Sequence, residues 1–356
     1  MPALPPEFAA AADRTACRVA IRHGSKSFFA AGQLLPGDVR EAAYGLYAFC
    51  RYSDDLVDEA PSAAARHAAV ARLDRRIGRA YAGEPADTPA DRAFAEIVND
   101  FAIPETLPRA LIEGLAWDAE GRHYADLDAL HDYAARVAGS VGAMMALIMG
   151  VRTPEALARA CDLGAAMQLT NIARDVGEDA RMGRLYLPLD WMRAAGLDPD
   201  AFLADPRPSP ALADLVARLL TEADRLYRRA EAGIAQLPPR CRPAIRAASL
   251  IYREIGREIA TAHHDSVTRR ARVGGARKLA LIARSVRASA DEGDFAAPAL
   301  PQTLFLIRAV ALQPLCSRVN RPALRPWWNV TGRVVHVLDL IERMREREAF
   351  GRSAPS

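Results

Sequence analysis

Apolar positions recur along this chain at intervals of three and four, alanine is abundant, and valine-rich alternating runs are nearly absent. That period belongs to one face of a helix and not to the two-residue repeat of a strand. The sequence therefore predicts an all-α fold, as one big helical domain or two smaller ones. Breaks are expected at Leu35-Pro36-Gly37-Asp38, Gly83-Glu84-Pro85, Ile103-Pro104, residues 197–210 and Leu237-Pro238-Pro239, where proline and glycine interrupt the pattern. Asp38 is the expected N-cap of the helix after the first break. Residues 181–188 read as a loop. From Asp291 onward prolines and arginines become frequent. Residues 1–290 thus read as the main helical domain and 291–356 as a helical extension packed on it, with helices near 302–312 and 330–348.

Two acidic segments depart from the ordinary amphipathic pattern, in which charges lie opposite the apolar stripe. In the first, Ala43, Tyr47, Cys50, Asp54 and Asp58 follow in steps of four, three, four and four. In the second, Leu163, Met167, Asn171, Asp175 and Asp179 follow in steps of four. The carboxylates continue the apolar stripe and point where it points. Inward carboxylates are costly unless paired or bound to a cation. Hard cations such as Mg²⁺ take carboxylate oxygens together with phosphate oxygens. Two such faces opposed across a cavity would hold a diphosphate between metal ions, with Mg²⁺ the expected cofactor and Mn²⁺ the alternative.

Composition narrows the classes. At 356 residues and 51% hydrophobic, the chain can bury a large core, and a net charge of +3 gives no argument for a nucleic-acid partner. The longest apolar run, 141–150, is shorter than the roughly 18 residues of a spanning helix. Asp13, Arg14 and Arg18 interrupt the N-terminal region where a secretory signal would be apolar. Five scattered cysteines, none in a C-x-x-C pair, fit a reducing compartment, so a cytoplasmic protein is expected. The histidines have no compelling ligand spacing and read as surface or structural residues. No Walker A, Gly-x-Ser-x-Gly or Gly-x-Gly-x-x-Gly sequence is present.

Four blocks, in order, carry a resemblance. They are Gly24-Ser25-Lys26-Ser27-Phe28, Tyr47-Ala48-Phe49-Cys50-Arg51 through Asp58, Tyr133 with Val137-Ala138-Gly139-Ser140-Val141-Gly142, and the run from Gln168 to Asp179. Together they resemble the squalene and phytoene synthase family, the trans-head-to-head isoprenoid synthases, over roughly residues 15–285. The resemblance implies a single large helical bundle of the isoprenoid-synthase type with a central apolar cavity. It implies Mg²⁺ on Asp54, Asp58, Asp175 and Asp179, with Asn171 as a neutral oxygen ligand. Ser27, Arg51, Arg174, Arg184 and Arg269 would contact diphosphate, where a guanidinium fork matches phosphate oxygens. Tyr47, Tyr133 and Tyr252 would line the cavity, stabilising carbocations or guiding proton loss. Two prenyl diphosphates would join through a cyclopropyl diphosphate to a linear hydrocarbon, with no NADPH expected.

Within the family, Trp117-Asp118-Ala119-Glu120-Gly121-Arg122 and the Tyr133 block look most like bacterial phytoene synthases acting on geranylgeranyl diphosphate. The alternative is a squalene or dehydrosqualene synthase acting on farnesyl diphosphate. A non-catalytic scaffold protein, the remote alternative, would have shed the metal-binding acids, and all four are present. The small residues Ala138, Gly139, Gly142 and Ala165 read either as room for prenyl chains or as tight helix packing. No obligatory protein partner is inferred. Transient peripheral membrane contact is a hypothesis for an enzyme of amphiphilic substrates; Phe305, Leu306, Trp327 and Trp328 are the apolar candidates, and core packing is the first explanation for them.

Overall fold

The structure, a computed structural model, describes residues 8–287 and 295–313, which contain helices and no strand. Helix α1 (Ala11–Gly24) leads directly into α2 (Lys26–Gly32), whose first turn is capped by the Ser25 hydroxyl accepting from the Phe28 N–H at 3.2 Å. Helix α3 (Gly37–Asp58) carries the first acidic segment and packs against α1 and against α5 (Pro89–Asp100). Helices α4 (Ala63–Tyr81) and α6 (Thr106–Ala119) flank that group. Helix α7 (Leu127–Ala134) runs through a π-helical turn (Ala135–Gly139) into α8 (Ser140–Ile148).

Helix α9 (Pro154–Arg181) carries the second acidic segment and packs extensively along α12 (Pro210–Ile234), with α8, α13 (Arg242–Thr261) and the π-helical turn also against it. Between α9 and α12 come the loop 182–188 and two short helices, α10 (Leu189–Ala194) and α11 (Pro199–Ala204). Helix α14 (Gly275–Arg287) packs on α13. After residues 295–300, a 3₁₀ turn (Pro301–Thr303) opens α15 (Leu304–Ala311), which rests on α6, α8 and α9.

Two local expectations differ. Asp38 does not cap α3: Pro36 occupies the N-cap position and Asp38 lies in the first turn. The fixed φ of proline, −53° here, sets the helix start two residues earlier than an Asp38 cap would. Asp38 instead places its charge at the positive end of the helix dipole. The stretch 197–210 also holds a short helix, α11, because Asp198 accepts from the Ala201 N–H at 2.8 Å and Pro199 sits where its missing donor costs nothing.

Helices α8 and α9 cross at backbone contact. A Cβ on Gly142 would lie 2.2 Å from the Ala160 carbonyl oxygen, and one on Gly164 would lie 2.2 Å from that of Ala138. Gly142 is therefore required for packing, whereas a Cβ on Gly139 would meet nothing nearer than 3.7 Å. Leu306 is fully buried, and Phe305 is partly buried and packs on the core. Trp327, Trp328 and the helix expected at 330–348 lie outside the described residues. No helix among the described residues is long and apolar enough to cross a membrane.

Candidate active site

The stripes that carry the acids prove to be walls of a cavity. Ala43, Tyr47, Cys50 and Asp54 of α3, and Leu163, Met167 and Asn171 of α9, all line one space of about 440 Å³. Steps of four keep such residues on one helix face, so the apolar part of each stripe faces the same interior as its first polar member. Asp58, Asp175 and Asp179 continue these faces into the last turns of α3 and α9. Carboxylates there oppose the negative end of the helix dipole. The arrangement is unfavourable unless cations offset it.

Electrostatics tie the two acidic ends together. Desolvation first, and the Asp58 charge second, push the Asp54 carboxyl up to about 7. Its side chain keeps 46% of its surface accessible, within a cleft where surrounding protein still strips away much of its hydration. Desolvation and then Asp175 push Asp179 to about 7 as well. Between the clusters stands Asp118 of α6, raised to about 6 mainly by burial and in part by Asp58, and itself acting on Asp54 and Asp179. Arg184, from the loop after α9, donates to Asp58 and also lowers Asp118 and Asp179.

The other arginines divide between the ends. Arg51 pairs with Asp55 at 2.6 Å and with Asp54 at 3.6 Å. Arg174 donates through Nε to Asp175 at 2.8 Å. Arg269 is exposed and helps to lower the Asp265 carboxyl, while its neighbour Arg270 reaches Asp175 at 2.8 Å and Glu178 at 3.1 Å. Ser27 sits half-buried in the first turn of α2, one residue before the cavity-lining Phe28.

Aromatic groups complete the interior. The Phe28 ring stacks on Tyr252 at 5.0 Å and meets the edge of Tyr47 at 6.4 Å. Gly24 leaves room for the Tyr47 hydroxyl, since a Cβ there would stand 2.3 Å from it. Tyr133 lines the cavity beside Tyr124 and Tyr186, with ring centroids 5.2 Å away in both cases. The Tyr133 and Tyr186 hydroxyls donate to the two oxygens of Asp118 at 2.8 and 2.7 Å. Burial holds both tyrosines well above the ordinary phenol range and takes Tyr252 to about 12, so all three stay protonated hydrogen-bond donors at neutral pH.

Residues 21–277 match the family model described as squalene/phytoene synthase. The chain belongs to the squalene/phytoene synthase family. A curated phytoene synthase of Rhodobacter capsulatus is 56% identical over 276 residues, covering 78% of this chain and 81% of that one. A phytoene synthase of Cereibacter sphaeroides is 50% identical over 315 residues, 85% and 89% of the two chains. Among solved structures of squalene/phytoene synthase type, a liganded dehydrosqualene synthase superposes with a TM-score of 0.70 at 30% identity, covering 77% of this chain and 95% of that one.

Within this squalene/phytoene synthase site, the donor set fits a hard cation. Asp54, Asp58, Asn171, Asp175 and Asp179 all offer oxygen atoms, and the Asn171 Oδ1 atom is buried on the cavity wall with no hydrogen-bond partner. Among the described residues, no three His, Cys, Asp or Glu side chains form a ready cluster for a metal ion. The acids are presented from two helices instead. Sequence reasoning missed the roles of Asp118, Tyr186 and Arg270. For Asp118 the signal was present in its placement between Trp117 and Ala119, in the apolar run that follows Glu113 on α6.

Proposed function

We propose that this protein is a phytoene synthase, joining two geranylgeranyl diphosphates head to head through a cyclopropyl diphosphate to phytoene, in carotenoid biosynthesis. The observation that carries the reading is the continuity of an aromatic and aliphatic cavity with two acid-bearing helix ends. The relatives named phytoene synthase, at 50% and 56% identity, supply the choice of substrate.

Asp54, Asp58, Asn171, Asp175 and Asp179 would hold Mg²⁺. Bound there, the metal would carry the negative charge that develops on a departing diphosphate. Arg51, Arg174, Arg184 and Arg270 stand ready to share that charge through forked hydrogen bonds, with Ser27 adding a neutral donor. When the C1–O bond of one substrate breaks, its electron pair leaves with diphosphate, and the allylic cation stays in the cavity. The faces of Phe28, Tyr47 and Tyr252 present negative quadrupole density to that cation. The double bond of the second substrate attacks it, a proton is lost, and the cyclopropyl diphosphate forms. Loss of the second diphosphate, rearrangement and a final proton loss give the triene. Apolar walls exclude the water that would otherwise capture each cation. The Tyr133–Asp118–Tyr186 group stands beside the reacting centre, where its carboxylate can stabilise positive charge or pass a proton.

Purified protein with Mg²⁺ and detergent, given geranylgeranyl or farnesyl diphosphate with and without NADPH, tests the reading by the mass of the hydrocarbon. A C40 triene from the C20 substrate without reductant is expected. A C30 product, or a requirement for NADPH, moves the protein to the squalene branch with its acid site intact. No hydrocarbon from either substrate removes the enzymatic reading.

A further inference from the structure

Away from the acids the cavity is lined by Ala156, Met149 and Leu237 and by one arm of a buried charged knot. Arg159 lines the cavity two turns before Met167 on the same face of α9, yet it is only 1% exposed. Its Nε donates to Asp162 at 2.8 Å, and its Nη1 donates to the carbonyls of Ala297 at 2.8 Å and Phe295 at 3.3 Å. Arg229 closes the knot from α12, donating to Asp162 at 3.0 Å and to the Pro298 carbonyl at 2.6 Å. The guanidinium is thus drawn outward onto residues 295–298. What remains for the lumen is the hydrocarbon stem. Gly233, another lining residue, admits that stem: a Cβ there would lie 2.3 Å from the Arg159 Cβ and 2.9 Å from its Cγ.

We propose that Arg159, clamped outward by Asp162, Arg229 and the 295–298 carbonyls, is the floor that stops the prenyl chain and so selects its length. The inference rests on the cavity being a prenyl pocket. Asn171, at the diphosphate end, lies twelve residues beyond Arg159 on the same helix, a rise of about 18 Å. Carbon–carbon bonds of about 1.5 Å in an extended zigzag give about 19 Å for four prenyl units and about 14 Å for three. Arg159 stands where four units reach along α9 and leaves three units short of it, with the small Ala156 the one lining residue of that helix beyond it.

A charged residue serves as a floor better than its burial suggests. The knot binds the C-terminal segment to α9 and α12 through carbonyls, so the depth of the pocket is fixed by backbone rather than by a mobile apolar side chain. It also makes Arg159 a specificity residue that acts by position, with no part in the chemistry.

Two variants should move selectivity in opposite directions. Gly233→Ala drives the Arg159 stem into the lumen. The double variant Arg159→Ala/Asp162→Ala removes the stem and the two fully buried charges together, and leaves the partly exposed Arg229 on the Pro298 carbonyl and solvent. The measurement is kcat/KM for the C15, C20 and C25 diphosphates with the full chain and Mg²⁺, alongside the melting temperature. Gly233→Ala should raise the C15:C20 ratio about tenfold, and the double variant should raise the C25:C20 ratio about tenfold, the discrimination a hydrophobic pocket gives for a small change in length. Arg229→Met, at the partly exposed edge of the knot, should move C25:C20 the same way and decides the matter if the double variant does not fold. A structural role alone would lower all three rates together, and ratios that stay fixed overturn the floor. Wild-type protein that makes C40 product while the ratios stay fixed removes only this inference. Wild-type protein that makes no hydrocarbon from any of the three overturns the functional reading and the floor together.

Discussion

Replacing Tyr133 by Phe removes one hydroxyl and leaves the ring that lines the cavity. Asp118 then keeps one of its two phenol donors, the Tyr186 hydroxyl at 2.7 Å. Hydrogen bonds to a charged acceptor contribute about 1.5–3 kcal/mol, roughly twice a bond to the neutral form. The difference between the two protonation states is then about 1–1.5 kcal/mol, or about one pKa unit. Asp118 should move from about 6 to about 7. Infrared or ¹³C titration of the aspartate carboxyls in chelator-treated protein reads this directly, with Asp118→Asn identifying the signal. Thermal melting gives a second readout. The folded pKa of Asp118 exceeds the 3.8 of a free aspartate, so the folded protein binds the proton more tightly, and stability falls as pH rises from about 4 to about 6. In the variant that fall should continue to about pH 7. An Asp118 titration that stays put or moves down would refute the account of Tyr133 as a donor that keeps the carboxylate ionised.

Asp54 and Asp179, both raised to about 7, make the metal-free protein lose stability as pH rises from about 4 to about 7. Mg²⁺ requires their deprotonated forms, so the rise in Tm on adding Mg²⁺ should be larger at pH 8 than at pH 6; equal rises at both would contradict metal binding by these acids. For the same reason Asp54→Asn should raise the metal-free Tm at pH 8 while lowering kcat by about a hundredfold or more, and a variant with full turnover sinks the assignment. Gly142→Ala must displace α8 from α9 to clear the Ala160 carbonyl; a loss of about 1–3 kcal/mol is expected in denaturant unfolding, and an unchanged midpoint would show that the crossing yields freely.

The acidic ends were legible because a helix face is a local property. Ala43, Tyr47, Cys50 and Asp54 line the cavity together for no reason beyond their spacing, and Leu163, Met167 and Asn171 do likewise. The helical class was legible for the same reason. What escaped depends on residues far apart in sequence. Asp118 gains its meaning from Tyr133 and from Tyr186, which is 68 residues away. Arg159 and Asp162 look like an ordinary pair of opposite charges three residues apart on α9 until Arg229 and residues 295–298 are brought to them. The contact of Arg270 with Asp175 and Glu178 is made by a loop that follows two histidines with φ of 55° and 59°, and spacing along α9 says nothing of it. The start of α3 shows a smaller version of the problem, because Pro36 and Asp38 both carry helix-start signals and backbone rigidity prevailed.

The π-helical turn at Ala135–Gly139 carries one residue more than an α-helix would use over the same distance. Each residue of an α-helix turns the chain by about 100°, so that surplus offsets the phase of everything before it against everything after it. Tyr133 lies before the turn, and Val141, Gly142 and Met145 lie after it, yet all look into one cavity. Deleting a single residue from the turn would leave an unbroken helix of good geometry and swing either the tyrosine or the apolar wall out of register. This stretch of chain is constrained in its length as strictly as the aspartates are in their identity.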